Sequence, residues 1–275
     1  MKKTLFLVAV LSLAMLFSGC GTKNNDIITV LSREDGSGTR DAFESLLGIE
    51  ETTLSAEISD STAVMITSVE GNRGAVGYIS LGALRENVKA LKIDGIPASG
   101  DNVKNGSYKL ARAFNIATKE NISDSAADFI SFILSSKGQA VVEQNKYISA
   151  TNGGDYKPSG KTGKVTVAGS SSVAPVMEKL KEAYIKLNPK ADIEIQQTDS
   201  TNGIQTVIDG ICDIAMSSRE LKKSELSSGL SSKAIALDGI AVIVSIDNPL
   251  DNISAEQLAS IYSGKATEWS KIINN

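Results

Sequence analysis

Three short stretches of this chain combine residues that can hold an anion. They are Arg33-Glu34-Asp35-Gly36-Ser37-Gly38-Thr39-Arg40, Gly169-Ser170-Ser171-Ser172 and Asp199-Ser200-Thr201-Asn202. Each follows a short apolar run and precedes a segment with helical spacing. The first N–H groups of a helix have no intrahelical acceptor, and the helix dipole adds partial positive charge there. Hydroxyls in the same turn are further donors, so such a turn takes phosphate or sulfate without a lysine. Glycine lets the backbone come close to the ligand. Arg33 adds a guanidinium able to pair with two oxygens of one anion. Asp35 either holds Arg33 in place or is a surface charge. Serine and threonine are also ordinary helix caps. The argument for binding is that three such turns occur in one chain, one of them beside an arginine.

Other chemistries are poorly served. The 275 residues contain no histidine, which removes the commonest general base and metal ligand. Two cysteines do not make a cysteine-rich zinc site. Ser37 has no base beside it, and the adjacent Glu34 and Asp35 are weak as a metal site. No catalytic residue, metal or cofactor is therefore expected. Gly160-Lys161-Thr162 is not a phosphate loop, because Gly154 is one residue too far away and no strand precedes it. The net charge is -4 and no basic patch is visible, which argues against nucleic acid. Cys212 lies among apolar neighbours and reads as a buried, inert thiol.

The elements that would position these turns alternate strand and helix. Strands are expected at 27–31, 75–79, 88–93, 113–118, 164–168, 192–195, 213–216 and 234–245. Helices are expected at 40–47, from Ser61-Thr62, at 124–134 and 137–144, after Ser172, after Ser200, and from Ser254, a cap candidate. Residues 151–163 are rich in Gly, Pro and polar side chains and read as a linker. This order predicts an α/β fold with helices covering sheets.

Residues 1–20 read as a targeting segment: Lys2 and Lys3, an apolar stretch from Thr4 to Phe17, then Leu16-Phe17-Ser18-Gly19-Cys20. The last five residues resemble the lipobox of bacterial lipoproteins, which implies lipidation of Cys20. Residues 21–25 would be a polar tether. Nothing after the signal is apolar for long enough to span a bilayer.

Taken together, Arg33 to Thr39, Val167 to Ser172 and Asp199 to Ile204 resemble the phosphate-binding proteins of ABC-type phosphate uptake systems. Ala75 to Gly82, Ala236 to Ala241 and Ile261 to Trp269 fit the same family. The resemblance implies a two-lobed, periplasmic-binding-protein-like (type II) fold with a cleft between lobes. It places Arg33, Ser37, Gly38, Thr39, Ser171, Ser200 and, as a neighbour, Ser172 on phosphate-binding positions. It implies inorganic phosphate as ligand, an ABC transporter permease as partner, and a lipid anchor on the extracytoplasmic face of the cell membrane. A monomer is expected. A sulfate or other oxyanion binder, or a phosphate-sensing lipoprotein, is the alternative.

Two departures qualify the resemblance. Many family members carry an aspartate where this chain has Ser218. It accepts a proton from hydrogen-bearing phosphate and so rejects sulfate; here discrimination would fall to Asp199, Glu220 or Asp35. Second, the segment order is swapped: residues 164–275 match the family's first half and 26–150 its second. A circular permutation follows from this reading, with 151–163 bridging the old termini. One lobe would be continuous, 113–244, and the other split, 26–112 plus 245–275. The hinge crossings would then fall near Arg112 and Val244.

Overall fold

Short β-branched strands punctuated by serine-capped helices set the frame. The computed structural model describes residues 26–273. The expected targeting segment, Cys20 and the expected tether lie outside the described residues. Strands are β1 (Thr29–Arg33), β2 (Glu57–Ser59), β3 (Ala75–Ser80), β4 (Val88–Ala90), β5 (Lys92–Ile93), β6 (Ala111–Lys119), β7 (Ile148–Ser149), β8 (Gly163–Ser170), β9 (Ala191–Thr198), β10 (Ile214–Ser217), β11 (Leu230–Ser245) and β12 (Asn252–Ile253). The main helices are α1 (Gly38–Leu47), α2 (Thr62–Glu70), α3 (Gly100–Lys104), α4 (Asp124–Leu134), α5 (Ser136–Gln144), α6 (Ala174–Leu187), α7 (Ser200–Ile208), α8 (Lys223–Ser227), α9 (Ala255–Tyr262) and α10 (Trp269–Ile273). Serine hydroxyls cap the starts of α1, α2, α4 and α9. Each satisfies an N–H that the helix itself cannot.

The main sheet runs β2-β1-β3-β11-β6-β10-β8-β9. The 16 residues of β11 serve both halves of the molecule. Leu230 to Gly239 pair antiparallel with β6, and Ile240 to Val244 pair antiparallel with β3. The apolar core divides at the same place. Phe114, Phe129, Tyr184, Ile214 and Ala236 pack in one cluster. Phe43, Tyr78, Leu110, Ile240, Val242 and Val244 pack in another. Lobe A is therefore built by the segments up to Leu110 and from Ile240, and lobe B by those between.

On β6 the passage between the two cores falls near Arg112. On β11 it falls at residues 236–240 rather than near Val244. The run Ile240 to Val244 is fully buried in lobe A. Asp238-Gly239 marks the passage locally, but both residues stay inside one continuous strand, so they do not read as a boundary. Residues 151–162 form no regular element but are pinned to lobe B. Buried Tyr156 donates to Asp128 and accepts from Asn188 at 2.7 and 2.8 Å.

Candidate functional site

The three turns singled out by sequence converge where the lobes face each other. Gly36 has φ 86, a left-handed value that suits glycine, and turns the chain from β1 into α1. Ser37 caps α1: its Oγ accepts from the Arg40 amide at 3.5 Å, which leaves its own O–H able to donate. Gly38 and Thr39 are the first helical residues, so their amides have no acceptor within α1. From lobe B come Ser171 and Ser172 after β8, Ser200 at the start of α7, and Ser218 after β10.

These groups meet across the cleft. Arg33 NH2 donates to Ser171 Oγ at 3.0 Å. The Thr39 and Ser172 hydroxyls are 2.9 Å apart, and Thr39 Oγ1 lies 3.4 Å from Ser218 Oγ. Ser218 in turn receives the Ser170 hydroxyl at 2.9 Å, and its amide donates to Ser200 Oγ at 3.1 Å. The Thr201 amide of lobe B donates to Gly36 O of lobe A at 3.2 Å. Gly38 fits only because it has no side chain: a Cβ there would come within 2.8 Å of Ser218 Oγ. Arg33, Ser37, Gly38, Thr39, Ser171, Ser172, Ser200 and Ser218 all lie in this one buried place, none of the side chains more than 3% exposed. The surrounding contacts are hydroxyl to hydroxyl, and a hydroxyl can turn to donate or accept. Such a lining adapts to an oxyanion of tetrahedral shape. Because the lining is buried, an ion reaches it only when the lobes separate.

The structure decides the carboxylates that the sequence left open. Glu34, not Asp35, holds Arg33. Arg33 Nε and NH2 donate to Glu34 Oε2 and Oε1, both at 2.7 Å, and Nε also donates to Ser59 O. That uses the Nε side of the guanidinium, while NH2 also reaches Ser171 of lobe B. Asp35 points to solvent, 97% exposed, and pairs with Arg40. It does not line the pocket. Asp199 caps α7, accepting from the Asn202 amide and side chain. Glu220 accepts from Asn115 at 3.4 Å.

Three contributors were missed. Thr62, at the start of α2, lies 3.5 and 3.4 Å from Ser171 and Ser172 Oγ. The same hydroxyl-at-helix-start pattern marks it in sequence. Ser170 belonged to a recognised turn but was not picked out as a contact. Arg219, beside Ser218, is buried and ion-paired; nothing in its local sequence distinguishes it from a surface cation. Burial works against its charge, but the Glu225 hydrogen bonds and charge, with Asp41 behind, outweigh burial and raise its pKa. Among the described residues, no group of three Cys, Asp or Glu side chains could hold a metal. None of the described helices is long and apolar enough to cross a membrane.

Two α/β lobes joined by crossing strands, with a buried cluster of hydroxyls and one guanidinium between them, define a substrate-binding protein of the periplasmic-binding-protein kind. A family model for the PBP superfamily domain matches residues 12–137 and 151–274. Phosphate-binding protein PstS 2 of Streptococcus agalactiae is 48% identical over 272 residues, covering 94% of this chain and 93% of that protein. The crystal structure of a phosphate ABC transporter phosphate-binding protein from Streptococcus pneumoniae superposes with a TM-score of 0.72 at 47% identity, covering 90% of this chain and 99% of that one. PstS of Staphylococcus saprophyticus matches at 33% identity over 144 residues, 49% of this chain and 45% of that protein. The chain belongs to the PBP superfamily and, within it, to the phosphate-binding proteins of ABC-type phosphate uptake systems. Its relatives are substrate-binding components rather than enzymes.

Proposed function

We propose that this chain captures inorganic phosphate outside the cytoplasm and hands it to the permease of an ABC transporter, working as a lipid-anchored monomer. The observation that carries the proposal is the convergence of Arg33 with three helix-start turns from two lobes in one buried polar cluster. In this reading the Arg33 guanidinium supplies the charge. The Gly38 and Thr39 amides and the hydroxyls of Ser37, Thr39, Ser171, Ser172, Ser200 and Ser218 supply the remaining hydrogen bonds. Lipidation at Cys20 rests on the lipobox-like residues 16–20.

The swapped segment order is read as a circular permutation within the family. Asp26 and Ser270 support it: the Ser270 amide and hydroxyl donate to the Asp26 carboxylate at 2.7 and 2.6 Å, so the two ends of the described chain adjoin in lobe A. The linker 151–163 lies where the other pair of ends would be joined. The half-length match to the Staphylococcus protein fits the same reading, whereas the Streptococcus agalactiae protein shares the order along nearly its whole length.

Titration calorimetry with phosphate, arsenate and sulfate tests the function. Heat with phosphate is expected. No heat with any of the three overturns the proposal, and equal affinity for sulfate reduces it to general oxyanion capture. Ser218 favours keeping that second outcome in view, since a hydroxyl there both donates and accepts.

A further inference from the structure

The lobes also meet outside the hydroxyl pocket, on the flank of α1. Arg219 is 6% exposed and is held firmly by its own lobe. NH1 and NH2 donate to Glu225 Oε2 and Oε1, both at 2.8 Å. NH1 also donates to Glu220 O at 3.0 Å, and NH2 to Thr201 Oγ1 at 3.1 Å. The remaining nitrogen, Nε, lies 2.9 Å from Asp41 Oδ2 on α1 of lobe A. The N–H is not aligned with that oxygen, so the contact is Coulombic rather than a hydrogen bond. Lys222 Nζ stands 3.3 Å from the same oxygen.

This arrangement has the properties of a catch. Its charges sit on different lobes and meet only when the cleft is shut. Arg219 is already immobilised by Glu225, so closing orders little more than the Asp41 side chain. The pair is partly buried, where opposite charges attract more strongly than in water. A groove of about 660 Å³ lined by Asp41, Arg219 and Lys222 runs beside it; the touching atoms Asp41 Oδ2 and Arg219 Nε are covered, and salt acts on the pair from the exposed Lys222 side and once the lobes part. None of these atoms contacts the hydroxyls of the pocket directly, apart from Thr201.

We propose that Asp41 and Arg219 form an inter-lobe latch that favours the closed state and slows departure of the bound anion. Both are positioning residues, not ligands. The effect on departure rests on the phosphate-binding reading; the effect on closure does not.

The test measures both. Dyes on Leu54→Cys in lobe A and Lys190→Cys in lobe B report lobe closure by energy transfer, and stopped-flow reports phosphate association and dissociation. Asp41→Asn is expected to lower the closed fraction without phosphate. It should also raise the phosphate dissociation rate about five-fold, with association changed by less than about two-fold. Asp41→Glu should restore much of both. Raising sodium chloride to about 1 M should loosen the unsubstituted protein and leave Asp41→Asn unmoved. An unchanged closed fraction in Asp41→Asn, or a loss confined to association, overturns the latch. If the unsubstituted protein binds no phosphate, the function proposal fails on its own, and the energy-transfer measurement still decides the latch.

Discussion

Arg112 and Asp238 are cross-strand partners on β6 and β11, at the point where both strands pass from one lobe to the other. Arg112 NH2 lies 3.4 Å from Asp238 Oδ2, and Ser80 Oγ donates to Asp238 Oδ1 at 2.8 Å. Both side chains are buried. Burial pushes the Asp238 carboxyl up to about 6 against the pull of Arg112, and brings Arg112 down to about 10. The hinge therefore carries a charge pair whose acid partner titrates in mildly acidic solution.

A pH dependence follows. A carboxyl whose pKa is higher folded than unfolded binds its proton more tightly in the native state, so its contribution to stability falls as pH rises from about 4 to about 6. Asp238→Asn removes that titration. The unfolding free energy of the native chain minus that of Asp238→Asn should decrease by on the order of 2 kcal/mol between pH 4 and pH 7. The unpaired Arg112 adds a constant offset, since it stays protonated throughout. Urea unfolding at several pH values checks the slope.

Arg33→Ala should cost phosphate affinity a hundred-fold or more, equivalent to about 3 kcal/mol for a charge-assisted contact. It also strands the Glu34 carboxylate beside the pocket. The readout is the phosphate-induced rise in melting temperature, which should all but vanish.

Gly38→Ala separates closure from folding. Alanine suits the first turn of a helix, so the ligand-free protein should be as stable as before, within about 1 kcal/mol. In the closed form the added methyl would meet Ser218 Oγ at 2.8 Å and Arg219 Cγ at 3.0 Å. Phosphate affinity should fall at least ten-fold while ligand-free thermal unfolding is unchanged.

Ser218→Asp tests selectivity. A carboxylate is an acceptor only, and sulfate at neutral pH has no proton to give it, whereas hydrogen phosphate does. Competition titrations should show sulfate binding fall at least ten-fold further than phosphate binding. Parallel losses would mean that position 218 does not discriminate between the anions.

Much of the local structure could be read directly. Serines three residues ahead of a helical amide marked the starts of α1, α2 and α9, because capping is a local bond. β-branched runs marked β1 and β8. Partner choice was less legible. Glu34 and Asp35 are adjacent and chemically alike, and only the twist of the turn aims one at Arg33 and the other at Arg40. The switch of β11 between cores carries only Asp238-Gly239 as a local mark, and the strand runs unbroken through it into the second core.

Sequence alone determined the chemistry on offer: hydroxyls and amides at helix starts, one arginine beside them, and no histidine. Tertiary structure decided that these become a single site. Arg33 and Ser171 are 138 residues apart, and Thr39 and Ser218 are 179 apart. Their meeting depends on how two separately packed cores hang from β6 and β11, and on the latch across α1. Such contacts arise from long-range packing and burial, which no local propensity encodes.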